Sequence, residues 1–139
     1  MALKIVDEGS TKILNSFFKG TTPPTSFTLR LFCDSNALAD ADTSASHTAA
    51  TGGGYADKTL AIASATVSSV GGIPQVAWAA QTFTFTGALT TNTTIKGYSI
   101  LDNSGTVIVE ELTTNFTPAN NGDTYVVTPI IQLGNGTPT

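Results

Sequence analysis

The sequence predicts an all-β protein, an antiparallel jelly-roll-like β-sandwich with one short N-terminal helix. Three observations predict it. Apolar and polar residues alternate with a period of two in several stretches, as in Phe27-Thr28-Leu29-Arg30-Leu31-Phe32-Cys33 and Gln81-Thr82-Phe83-Thr84-Phe85-Thr86, which is the pattern of a strand buried on one face. Clusters of Gly, Asn, Asp and Pro recur between these stretches and read as turns. Threonine, a β-branched residue that fits a pleated surface, occurs 25 times, whereas six basic and ten acidic residues make only 16 charged positions. An average domain of this length carries about 35.

The chain divides into an N-terminal arm, residues 1–20, and a sandwich domain, residues 21–139. Lys4-Ile5-Val6 reads as a short extended piece. Ser10 is a plausible N-cap, and Ile13, Leu14, Phe17 and Phe18 then form one apolar stripe of a short helix. Gly20 is its natural C-terminal stop, and Pro23-Pro24 forbids continuation. A helix this short is marginal alone, so its aromatic face must pack on its own sheet or on a neighbouring subunit.

Strands are expected at residues 26–33, 55–61, 65–70, 75–79, 81–87, 94–101, 106–112 and 124–133. Asp102-Asn103-Ser104-Gly105 is a strong hairpin signal, and Asn120-Asn121-Gly122-Asp123 is another turn. Pro129 cannot donate to a ladder and marks an edge or a bulge. Two long loops, 34–54 and 115–122, stand out, and 134–139 reads as a frayed tail. About eight strands with one helix fit a jelly-roll sandwich, with an up-and-down barrel as the alternative.

Composition narrows the function. The net charge is −4 and the six Lys and Arg are scattered, so no basic patch for nucleic acid exists. No apolar run approaches the roughly 18 residues of a membrane span. Charge appears by Lys4 without an apolar signal core, so the chain is expected to be made in a cytoplasm. Cys33, the one cysteine, lies on the apolar side of its strand and reads as a core thiol.

No candidate for chemistry stands out, and neither a catalytic residue nor a cofactor is expected. Ser46, His47 and Asp42 can be written as a hydrolase trio, but no nucleophile elbow or oxyanion loop accompanies them. His47 therefore reads as a solvated loop residue. Asp34, Asp40, Asp42 and Ser44 lack the calcium-loop spacing, and one His with one Cys cannot build a zinc site, so no metal is expected. Glu110 and Glu111 are adjacent in a strand and point to opposite faces, which prevents an acid–base couple. Gly52-Gly53-Gly54 and Gly71-Gly72 lack the features of phosphate loops. Trp78, Tyr55 and Tyr98 read as core aromatics, with a sugar platform as the alternative.

Five segments carry a resemblance: Leu3-Lys-Ile-Val-Asp-Glu-Gly9, Leu29-Arg-Leu-Phe32, Gly54-Tyr-Ala56-Asp-Lys-Thr-Leu60, Phe83-Thr-Phe85 followed by Gly97-Tyr98-Ser-Ile100, and Tyr125-Val-Val-Thr-Pro-Ile-Ile131. Together they resemble small structural proteins of tailed bacteriophages, of the capsid cement or decoration type. The resemblance implies a jelly-roll homotrimer on the virion surface that clamps the major capsid protein lattice. It brings no catalytic or ligand-binding residues. Tail or head-fibre components and carbohydrate-binding modules are the alternatives. If the role is contact, Ile13, Leu14, Phe17 and Phe18 are the expected partner-binding residues, because buried aromatics dominate interface energy.

Overall fold

The computed structural model describes residues 3–90 and 92–133; the tail expected at 134–139 lies outside the described residues. In chain order the elements are β1 (Leu3–Ile5), α1 (Asp7–Phe18), β2 (Ser26–Phe32), β3 (Lys58–Ala61), a 3₁₀ turn (Ile62–Ser64), β4 (Thr66–Val70), β5 (Ile73–Ala77), β6 (Gln81–Thr84), β7 (Ile95–Asp102), β8 (Val107–Phe116), β9 (Thr124–Val127) and β10 (Ile130–Gln132).

The strands form a five-stranded sheet ordered β1-β8-β7-β2-β3, a three-stranded sheet β10-β5-β4 and a two-stranded sheet β6-β9. Every pairing is antiparallel. One continuous core joins Leu29, Leu31, Tyr98, Ile100 and Val109 of the large sheet to Phe83, Phe85, Val127 and Ile131 of the small ones. The protein is therefore an all-β sandwich with one short helix. The pairing establishes the sandwich and not the jelly-roll connectivity expected with it. Phe83 and Phe85 point inward while Thr82, Thr84 and Thr86 are exposed, as period-two alternation requires. Cys33 is 4% exposed, and burial, helped by the charge of Asp34, pushes its thiol up to about 11.

The run expected as one strand at 124–133 is two. β9 pairs with β6, whereas β10 pairs with β5 in a different sheet. Pro129 sits at the switch, where it has no N–H to give, and its carbonyl accepts from the Trp78 N–H at 3.1 Å.

The segment expected as an arm is hydrogen-bonded into the large sheet from Leu3 to Ile5, and Val6 is fully buried. The helix begins at Asp7, three residues before the Ser10 expected as its cap. Val6 occupies the N-cap position without a side-chain bond, and the Ser10 N–H closes the first turn on Val6 O at 3.0 Å. Asp7 and Glu8 favour the positive end of the helix. Gly9 lets the helix touch the sheet: a Cβ there would lie 2.6 Å from Ile108 Cα. The other end falls where expected, with Gly20 at φ +64 just past Lys19.

α1 is tied to the β7–β8 hairpin by Lys12, whose Nζ lies 3.0 Å from Asp102 Oδ2. The Asp102 side chain is fully buried, and its Oδ1 accepts from the Ser104 N–H at 2.8 Å and the Thr106 N–H at 2.9 Å. Burial alone raises Asp102. The hydrogen bonds from Ser104, the Lys12 ammonium and Thr106 outweigh it and hold the carboxyl below the ordinary range. A depressed folded-state pKa contributes stability above the unfolded value, near 3.9, that is lost as pH falls through the folded value. Asp102→Asn is expected to cost about 2 kcal/mol at pH 7. The gap to the parent protein is expected to close in the acid limb, which urea denaturation from pH 6 to pH 2 measures. A gap that stays constant across that range contradicts the assignment.

Candidate functional site

Loop 33–50 is long but not free. The Cys33 N–H donates to Thr48 O and the Ala50 N–H to Leu31 O, both at 2.9 Å, which fixes the two ends of the loop side by side. Its middle is held from the other edge of the sheet: Lys4 Nζ lies 2.9 Å from Asp40 Oδ1, and the Asp7 N–H donates to Asp40 O at 2.7 Å. Within the loop, Asp42 Oδ2 accepts from the Ala39 N–H at 2.6 Å and Ser46 Oγ from the Thr43 N–H at 2.9 Å. The loop covers the face of the large sheet turned away from the main core. Phe32, Ser99 and Glu110 project there, each one residue out of phase with a core-facing neighbour.

His47 lies at the centre of this cover. Its ring stacks on Phe32 with centroids 4.3 Å apart, and its side chain is 4% exposed. Nδ1 lies 2.7 Å from Asp34 Oδ1, and Asp34 Oδ2 also accepts from the Thr48 N–H. Nε2 faces two further carboxylates, Glu110 Oε2 at 3.4 Å and Asp42 Oδ2 at 3.5 Å. The Glu110 residue is 1% exposed, and neither of its oxygens has a hydrogen-bond partner; nor does His47 Nε2. Burial pushes the Glu110 carboxyl up, the positive charge available on His47 works against that, and Asp42 adds to it. Burial alone lowers His47, but the hydrogen bond to Asp34 and the charges of Glu110, Asp34 and Asp42 raise it above its ordinary value.

This corrects the expectation of a solvated histidine: stacking on Phe32 and the bond to Asp34 draw it inward. The Ser46–His47–Asp42 trio does not form, since the short hydrogen bond of His47 goes to Asp34 and the Ser46 hydroxyl accepts from Thr43. Of the residues weighed for calcium, Asp34 and Asp42 flank His47 while Asp40 pairs with Lys4. Glu110 and Glu111 do point to opposite faces. Glu110 faces His47, and Glu111 accepts from the Tyr98 hydroxyl. Sequence reasoning missed Glu110 as the partner of His47. The available signal was a carboxylate directly following the apolar run Val107-Ile108-Val109 in the same strand.

A second feature lies on α1. Leu14, Phe17 and Phe18 are 55%, 81% and 75% exposed, while Ile13 packs half-buried against the core. The Phe17 and Phe18 rings meet edge to face at 5.0 Å. Beside them runs an apolar cavity of about 420 Å³ between helix and small sheet, lined by Phe17, Val67, Val76, Trp78 and Leu133 among others. The aromatics considered as a sugar platform are elsewhere: Trp78 is 4% and Tyr98 1% exposed, and the Tyr55 hydroxyl donates to Asp57 at 2.6 Å while its ring stacks on Phe83.

No protein-family model, no curated protein and no solved structure matches this chain.

Proposed function

We propose that this chain is a non-enzymatic structural protein of a tailed-bacteriophage particle, a capsid cement or decoration protein. In this reading it binds the major capsid protein lattice on the virion surface as a homotrimer and stabilises it through the exposed face of α1. The observation that carries the reading is the pair Phe17 and Phe18, three-quarters or more of each residue in water on a helix that Gly9 and Ile13 hold against the sheet. A fixed apolar surface of this kind marks a contact site, because single-chain proteins seldom leave large apolar patches exposed. The sparse charge supports it too, since few ions need desolvating when two such surfaces meet. The phage-protein resemblance of the strand segments supplies the partner.

Cyclic symmetry lets a small domain multiply one modest contact, with linked sites gaining roughly 10²- to 10⁴-fold over a single one. The expected result is saturable co-sedimentation of the purified protein with expanded empty capsids, and a higher temperature of capsid disruption. Light scattering is expected to give three times the 14.3 kDa chain mass. A monomer that leaves capsids unbound and unprotected overturns the proposal. Retention on a glycan array without capsid binding replaces it with the sugar-binding alternative.

A further inference from the structure

The cluster under loop 33–50 carries an inference independent of the contact role. We propose that Asp42, His47 and Glu110 bind one first-row divalent cation, zinc being the best match, and that this ion clamps the loop to the sheet.

The protonation pattern comes first. An ionised carboxylate only accepts hydrogen bonds, so the 2.7 Å contact with Asp34 places the hydrogen on His47 Nδ1. In the neutral ring, Nε2 then presents a lone pair to two carboxylates at 3.4 and 3.5 Å. Two carboxyl groups surround a lone pair stably only when a proton or a cation lies between them. A proton, on Nε2 or on the Glu110 carboxyl, would close the contact to about 2.7–2.9 Å, as charge-assisted hydrogen bonds do. Here neither Nε2 nor either Glu110 oxygen makes a hydrogen bond of ordinary length and angle, although all three atoms are buried.

The spacing fits an ion. Ligand atoms about 2.1 Å from a tetrahedral zinc lie about 3.4 Å from one another. The three candidate ligand atoms all lie within 4.8 Å of each other, and the two separations from Nε2 match that edge. Asp34 completes the usual arrangement, in which the far nitrogen of a liganding imidazole donates to a carboxylate that fixes the ring. One imidazole and two carboxylates favour zinc over manganese in affinity and fall short of the six to eight oxygens calcium takes. The positive charge of the ion also explains how Glu110 is tolerated at 1% exposure. Residues from the loop and from β8 are thereby joined, and the remaining coordination positions suit water.

The test uses the full chain, stripped with a chelator and titrated with zinc chloride. One zinc per chain is expected, with the melting temperature raised by about 9 °C at a hundredfold excess over Kd. Cobalt is expected to give the intense visible bands of a tetrahedral site. Asp34→Asn is expected to weaken binding 10- to 100-fold, and Asp42→Asn and Glu110→Gln by more. Asp42 lies on the loop, so Asp42→Asn carries the test if Glu110→Gln does not fold. Absence of saturable binding, or unchanged affinity in Asp42→Asn, overturns the proposal. So does a His47 nitrogen spectrum showing both ring nitrogens protonated in the presence of zinc, which identifies a buried imidazolium instead.

Discussion

Gly97→Ala is expected to destabilise the chain by about 3 kcal/mol, and Gly97→Val to prevent folding altogether. A Cβ at position 97 would collide with the Glu111 carbonyl oxygen and Phe32 Cζ, and lie 2.9 Å from Phe32 Cε2. The carbonyl belongs to β8, beside the register shift between Ile95 and Gly97, and cannot retreat without opening the ladder. The ring cannot retreat either. Phe32 is 1% exposed, faces Gly97 across the β2–β7 pair and has His47 stacked on its ring at 4.3 Å. Overpacking costs about 1–3 kcal/mol, and two unyielding walls place this case at the upper end. Against a total stability of about 5–15 kcal/mol, the bulkier valine exceeds what the fold tolerates. Urea denaturation gives the Gly97→Ala value. A second change tests the cause: Phe32→Leu removes the blocking ring atoms, so the Gly97→Ala/Phe32→Leu double variant is expected to lose less than the sum of the two. Simple additivity would place the strain elsewhere. The His47 resonances are expected to shift in Gly97→Ala, because the displaced ring is the shelf on which His47 rests.

The same residues show what the sequence makes legible. Period two in Phe83-Thr84-Phe85 and in Phe27 to Cys33 is a local signal, and it located strands and inward faces because a pleated strand leaves no choice once one face is buried. The Asp102 to Gly105 turn was equally local. The helix start is less legible: Ser10 is a favoured cap by residue type, whereas the use of Gly9 inside the helix, close packing on the Ile108 backbone, becomes visible only once β8 lies beneath it. The His47 cluster was out of reach for a stronger reason. Asp34, Asp42 and His47 share one loop, but Glu110 lies in β8 and meets them only because β2, β7 and β8 are adjacent in the sheet. Spacing rules cannot register a contact that depends on strand order. Exposure of Phe17 and Phe18 falls between the two cases. The stripe was evident, whereas which of its members turn inward was decided by the close approach of α1 to β8 at Gly9, which buries part of Ile13 and leaves the others out.

Phe17→Ser combined with Phe18→Ser is expected to abolish the capsid binding proposed for this chain while leaving the fold intact. The two rings are 81% and 75% exposed, so their loss removes little of the chain's own packing, and stability is expected to stay within about 0.5 kcal/mol of the parent. Binding is a different matter. Buried aromatic anchors are worth about 2 kcal/mol or more each, roughly 30-fold in Kd, so the pair accounts for about a thousandfold at one contact. The rings are also inexpensive to order, because Gly9 and Ile13 already hold the helix on the sheet and only the side chains remain to be fixed. In the proposed trimer the loss recurs at each linked contact, which would carry a lattice affinity in the nanomolar range beyond detection. Val126→Ser supplies the control, since Val126 is 56% exposed on β9 and its replacement removes an exposed apolar side chain outside α1. Unchanged binding in Val126→Ser beside its loss in the double variant assigns the contact to the helix. Equal losses in both would mean that the sandwich surface as a whole adheres to the lattice and that α1 has no special part in it.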